Sequence, residues 1–165
     1  MVENDLARIF EHNNWANSKI IEACSALTDQ QIDAPPQSAT EGTIRSTLLH
    51  LVVAQYNYLR LLTLPIEERQ DRVWIEFNEI KESLQNSGEE LLQLARDTSK
   101  LPAARIQTRD GYYVEPWVIM VQSINHATEH REQIKSMLTA LGITPPSIDG
   151  WDYGEATNAL VPISK

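Results

Sequence analysis

From Asn4 to about Leu27 the apolar residues Leu6, Ile9, Phe10, Ala16, Ile20, Ala23, Cys24 and Leu27 recur at helical spacing. This predicts an amphipathic helix with one buried face. Thr28, with Gln31 three positions on, reads as a capping box for a short turn that Pro35-Pro36 ends. Residues 37–42 read as a loop. Thr43 suits the N-cap of a second helix running to about Leu64, where Pro65 stops it. The middle of that helix, Leu48-Leu49-His50-Leu51-Val52-Val53-Ala54, is apolar nearly all round, so His50 is expected to be buried or half-buried. A third helix is predicted from about Val73 to Arg96, with Val73, Phe77, Ile80, Leu84, Leu91 and Leu94 on one face. Gly88 weakens it internally.

Between Ala103 and Glu115 the period changes. Arg105 to Thr108 and Tyr112 to Val114 flank Asp110-Gly111, the signature of a tight β-hairpin. Pro116 suits the first turn of a fourth helix reaching about Leu141, and Gly142 is its stop. Met120, Ile124, Ala127, Ile134 and Leu138 mark its buried face. The tail, with Pro145-Pro146 and then Ile148 to Tyr153, is expected to be irregular but packed, because it is aromatic. Four amphipathic helices with a small hairpin before the last predict an all-α four-helix bundle, as one domain over residues 1–165.

Composition sharpens this. At 165 residues, 42% apolar and 22% charged, the chain is of ordinary globular character and can bury a real core. Twenty-three acidic residues against 14 Lys and Arg give −9 at pH 7, a surface that repels phosphate backbones and argues against nucleic-acid partners. The single cysteine, Cys24, forms no internal disulfide and falls on an apolar helix face as a small hydrophobe. No leader pattern and no membrane-length apolar run is visible, so a cytoplasmic protein without membrane contact is expected.

Candidate chemistry concentrates in the fourth helix. His126 and His130 project about 40° and one turn apart, close enough to grip one ion. Two imidazoles rarely suffice, and the only other histidines are His12 and His50. In a bundle, His50 on the second helix could face the pair on the fourth. Three neutral imidazoles with an open position are the ligand set of a catalytic zinc-type site. His126-Ala127-Thr128-Glu129-His130 also fits H-x-x-E-H, with Glu129 as general base of a zinc peptidase. An upstream third histidine in a helical bundle is the wrong context for it, and Glu129 reads better as a solvated face residue. Arg131 and Gln133 either orient a ligand or pair on the surface, and surface pairing is preferred. Trp15, Trp117, Trp151 and the tyrosines read as core or interface.

Three pieces of the chain carry a family resemblance. They are His12-Asn13-Asn14-Trp15-Ala16-Asn17, Gly42-Thr43-Ile44-Arg45-Ser46-Thr47-Leu48-Leu49-His50, and Asn125 to Ile134. With the hairpin and the ending around Asp149 to Tyr153, their order and spacing resemble the DinB-like, YfiT-like superfamily of four-helix bundles. The resemblance implies a three-histidine divalent metal site carried by His50, His126 and His130, and frequent homodimers. His12 stands where the family carries an aromatic residue, so it is expected to pack near the site rather than ligate. Relatives include thiol-dependent S-transferases and a maleylpyruvate isomerase. The expected function is therefore that of a metal-dependent enzyme acting on a small molecule, with a low-molecular-weight thiol as one candidate partner. The reaction would be of transferase, isomerase or hydrolase type. Zinc or nickel is the expected ion, with iron or manganese as alternatives, since imidazole accepts several of these. The competing reading is a non-catalytic metal-binding or interaction bundle that dimerises, with Tyr58 and Trp74 as interface material.

Overall fold

A computed structural model describes residues 4–37, 42–69 and 75–163. Four long helices carry the structure: α1 (Asp5–Ser25), α3 (Ile44–Thr63), α4 (Ile80–Arg96) and α5 (Pro116–Ala140). Short helices α2 (Asp29–Ile32) and α6 (Gly150–Ala156) flank them, and strands β1 (Ile106–Gln107) and β2 (Tyr113–Val114) form the hairpin before α5. The expected all-α bundle with one small hairpin is observed. α3 packs on α5 and α4, and α1 packs on α4 and α5.

Local chemistry sets the helix ends. Asn4 and Thr43 cap α1 and α3 by accepting from the N–H groups of Ala7 and Ser46, and Thr28 with Gln31 makes the expected capping box for α2. Strand pairing places Ile106 opposite Val114 and Gln107 opposite Tyr113, with Gly111 at φ +93° in the turn. Gly142 ends α5 at φ +75°.

The third long helix departs from expectation. It begins at Ile80 after a 3₁₀ turn over Phe77–Glu79, because the Glu79 carboxylate accepts the Glu76 N–H at 3.3 Å and fixes the start there. Val73 and Trp74, expected to open this helix and to contribute to an interface, lie outside the described residues, as does 38–41 of the expected loop. Gly88 is more than a weak point. Asn14 Nδ2 donates to its carbonyl at 2.9 Å, and a Cβ added there would lie 2.6 Å from Asn14 Oδ1. Ile9, expected on the buried face, is 47% exposed. The tail is not irregular throughout: Asp149 accepts from the N–H groups of Trp151 and Asp152, and Asp152 accepts in return from the Asp149 N–H, which nucleates α6. Tyr153 packs on His12 and Trp15, whereas Trp151 and Trp117 are exposed.

The core is layered. One apolar cluster holds Ile20, Leu48, Val52, Leu84, Ile134 and Leu138; the other holds Phe10, Leu59, Leu91, Ile119 and Met120. Each such side chain contributes about 1.5–3 kcal/mol by leaving water. In every long helix a buried polar residue falls between the two clusters: Asn13 and Asn17 in α1, Gln55 in α3, Ser87 in α4 and Arg131 in α5. A polar layer therefore crosses the middle of the bundle.

Candidate metal centre

His50 comes from α3, and His126 and His130 come from successive turns of α5. Their ring nitrogens converge: His126 Nε2 lies 3.1 Å from His50 Nε2 and 3.1 Å from His130 Nε2. Among the described residues these are the one group of three His, Cys, Asp or Glu side chains arranged to hold an ion, with donor atoms within 4.8 Å of one another. His50 is exposed, contrary to the burial expected from its apolar stretch, while the other two are half-buried. The reason is position: α3 turns Leu48, Leu51 and Val52 inward, and His50 lies on the remaining face.

The hydrogen-bond logic of the cluster favours ligation. His130 Nδ1 lies 2.8 Å from Gln133 Oε1. An amide oxygen only accepts, so Nδ1 carries a proton, and in the neutral ring Nε2 presents a lone pair. His126 Nε2 has one proton or one lone pair, so its two short contacts cannot both be ordinary two-centre hydrogen bonds. Burial, reinforced by the charges of His130 and His50, pushes His126 down to about 4. Burial and the His130 charge also lower His50. Both rings are therefore neutral at pH 7, the form that ligates. Tetrahedral coordination with bonds of 2.0–2.1 Å needs nitrogens about 3.3 Å apart, close to the spacing found. The three-histidine group could hold a divalent ion.

Two neighbours shape the site. The Tyr58 ring meets the His126 ring edge-on, with centroids 5.7 Å apart. Tyr58 is thus half-buried beside the cluster and packed against the core. Behind His130, Arg131 is buried, not paired on the surface as expected. Its Nη1 donates to Asn13 Oδ1 at 2.6 Å and Asn17 Oδ1 at 2.7 Å, and Nη2 donates to Thr128 Oγ1 at 2.9 Å. Asn17 Nδ2 continues the chain to Gln55 Oε1, and Gln55 Nε2 reaches Ser87 Oγ and the Leu84 carbonyl. Burial lowers the guanidinium to about 10, with Glu132 opposing the shift. The polar layer thus ties all four long helices together at the level of the histidines, which sets the register of α3 against α5.

His12 stands apart from the cluster. Its Nε2–H donates to the Ile148 carbonyl at 2.9 Å, and its ring packs on Trp15 and Tyr153, as expected. Cys24 is buried and its thiol is pushed up to about 12 by burial, which makes it inert. Glu129 is exposed, in keeping with a solvated role. The positions of Gln133 and Arg131 had signals in the chain: Gln133 follows His130 by three, the spacing of neighbours on a helix. Arg131 stands four after Ala127 and three before Ile134, on the buried stripe itself.

Comparison with known proteins follows the same line. No curated protein matches the chain significantly. A solved crystal structure of a DinB family member from Exiguobacterium sibiricum shares the fold, with a TM-score of 0.64 at 16% identity, covering 85% of this chain and 94% of that one. The model of the DinB family matches residues 1–162, and the chain belongs to the DinB family.

Proposed function

We propose that His50, His126 and His130 hold one divalent cation, zinc or nickel, and that the protein is a metal-dependent enzyme acting on a small molecule, of thiol-dependent S-transferase type. The observation that carries this reading is the convergence of three Nε2 atoms from two helices, with no fourth His, Cys, Asp or Glu in the group among the described residues. An interaction bundle would have no use for such a set, and a purely structural ion would be closed by a fourth ligand. A divalent cation at this place supplies Lewis acidity, which favours the thiolate over the thiol of a bound small molecule. The residues of the chain do the rest. Gln133 keeps His130 in the ligating tautomer, and the exposed ring of His50 leaves the solvent side of the cluster accessible. The Tyr58 ring walls one side of His126.

Cobalt(II) provides the test, because sulfur coordination to it gives a strong near-ultraviolet charge-transfer band. Adding a low-molecular-weight thiol to the cobalt-loaded protein is expected to produce this band, and His130→Ala to remove it. Cobalt that binds without any response to thiols would rule out thiol transfer and leave hydrolysis as the reading to pursue.

A further inference from the structure

Near the C-terminal end of α3, a cavity of about 450 Å³ is lined by Asn57, Arg60, Arg69, Thr108, Arg109 and Asp110, among others. This is within the size range of small-molecule sites. Three guanidinium groups in one cavity are out of keeping with a chain of net charge −9.

Arg60 is the informative member. It is only 7% exposed, and its one hydrogen bond among the described residues is a long contact of 3.4 Å from Nη1 to Asn57 Oδ1. The Tyr56 ring lies 5.9 Å from its guanidinium carbon. No described carboxylate pairs with it. Among the described residues no fully enclosed side-chain nitrogen or oxygen lacks a partner, so the unbonded N–H groups of Arg60 reach accessible space. A buried cation with idle donors bordering a cavity is an unmet demand for an oxyanion.

Arg69 holds the other wall. It donates from Nε to the Leu64 carbonyl at 3.0 Å, from Nη1 to the Gln107 carbonyl at 2.6 Å and from Nη2 to the Leu61 carbonyl at 3.4 Å. These bonds pin β1 to the end of α3 and fix the charge in place without neutralising it. Burial lowers Arg69, Glu67 opposes this, and the charges of Arg109 and Arg60 lower it further. Arg69 therefore feels both neighbouring cations, and an anion placed between it and Arg60 relieves that repulsion. Asp110 is the carboxylate on the lining, and it is exposed at the hairpin turn.

We propose that this cavity binds the oxyanion of a small molecule, a carboxylate or phosphate group gripped by the fork of Arg60 in the positive field of Arg69. Asn57 follows His50 by seven residues, so the two share a face of α3 about 10.5 Å apart along its axis. A ligand anchored at Arg60 can thus extend along α3 toward the histidines. That extension rests on the proposed metal reading; the oxyanion site does not.

Calorimetric titration of the full chain with inorganic phosphate and, separately, with succinate tests the proposal, at ionic strength held constant with chloride. One of the two is expected to bind with a Kd of about 1 mM or tighter, and which one does so names the group. Arg60→Gln is expected to weaken that binding at least about tenfold, and Arg60→Lys to retain more phosphate than succinate affinity, since lysine offers a point charge without the fork. His126→Ala should leave anion affinity unchanged while removing the proposed metal site, so the two readings fail separately. Should Arg60→Gln not fold, the Arg60 Nε–H resonance of the unaltered protein decides, by shifting or not shifting on anion addition. Neither anion binding up to about 50 mM, equal affinity in a folded Arg60→Gln protein, or an unmoved Arg60 resonance would overturn the proposal.

Discussion

Gln133 Oε1 lies 2.8 Å from His130 Nδ1, one turn along the same helix, and this contact decides which nitrogen of His130 faces His126. Gln133→Ala leaves the tautomer unset. It is expected to weaken divalent-metal affinity by roughly 10–100-fold, as loss of an outer-sphere partner does elsewhere, with little change in thermal stability. Competition with a chromophoric chelator measures this. Unchanged affinity would remove Gln133 from the site.

The ligand set makes a sharper claim. Alanine at His50, His126 or His130 should each abolish tight binding of a single divalent ion per chain, because two imidazoles make a poor site. His12→Ala should not, since His12 Nε2 is committed to the Ile148 carbonyl. Elemental analysis of untagged protein reads the outcome, and full occupancy in His50→Ala would sink the assignment.

Acid should destabilise the metal-free protein through His126. Its folded value, about 4, lies below the ordinary 6.5, so between these values the unfolded chain binds more protons. Stability is then fully present above about pH 6.5 and falls as pH drops toward 4. Urea midpoints across this window should decline, and His126→Gln should flatten the decline. A slope unaltered by that substitution would place its cause elsewhere.

Arg131 is predicted to be structural support for the site. Arg131→Met relieves a buried charge but strands Asn13 Oδ1 and Asn17 Oδ1, each of which has its shortest bond from that guanidinium. The net loss is expected to be about 2–4 kcal/mol. Denaturant unfolding checks this, and a neutral result would mean that the asparagines find other partners.

Gly88 offers a test of sign. On helix propensity alone, Gly88→Ala stabilises by about 1 kcal/mol. The new methyl would meet Asn14 Oδ1 at 2.6 Å, where α1 leans on α4. The substitution is therefore expected to lower the melting temperature. A rise would show that Asn14 moves aside without cost.

Much of this architecture was legible in the chain because its causes are local. The spacing of Phe10, Ile20 and Cys24, the caps at Thr28 and Thr43, Asp110-Gly111 in the hairpin and Pro116 at the start of α5 act over a few residues, and each produces its element. The pairing of His126 with His130 is of the same kind, since one helical turn brings them together.

What tertiary structure decided depends on contacts between distant segments. His50 is 76 residues from His126, and only the packing of α3 on α5 sets their nitrogens 3.1 Å apart. Hydropathy around His50 suggested burial, but the angle at which α3 seats on its neighbours turns that ring outward. Arg131 reads as a surface residue by its charge, and Asn13 and Asn17, more than a hundred positions earlier, join the local Thr128 in making its burial tolerable. A polar side chain is placed by the groups that supply its hydrogen bonds, and for Arg131 two of those groups come from α1.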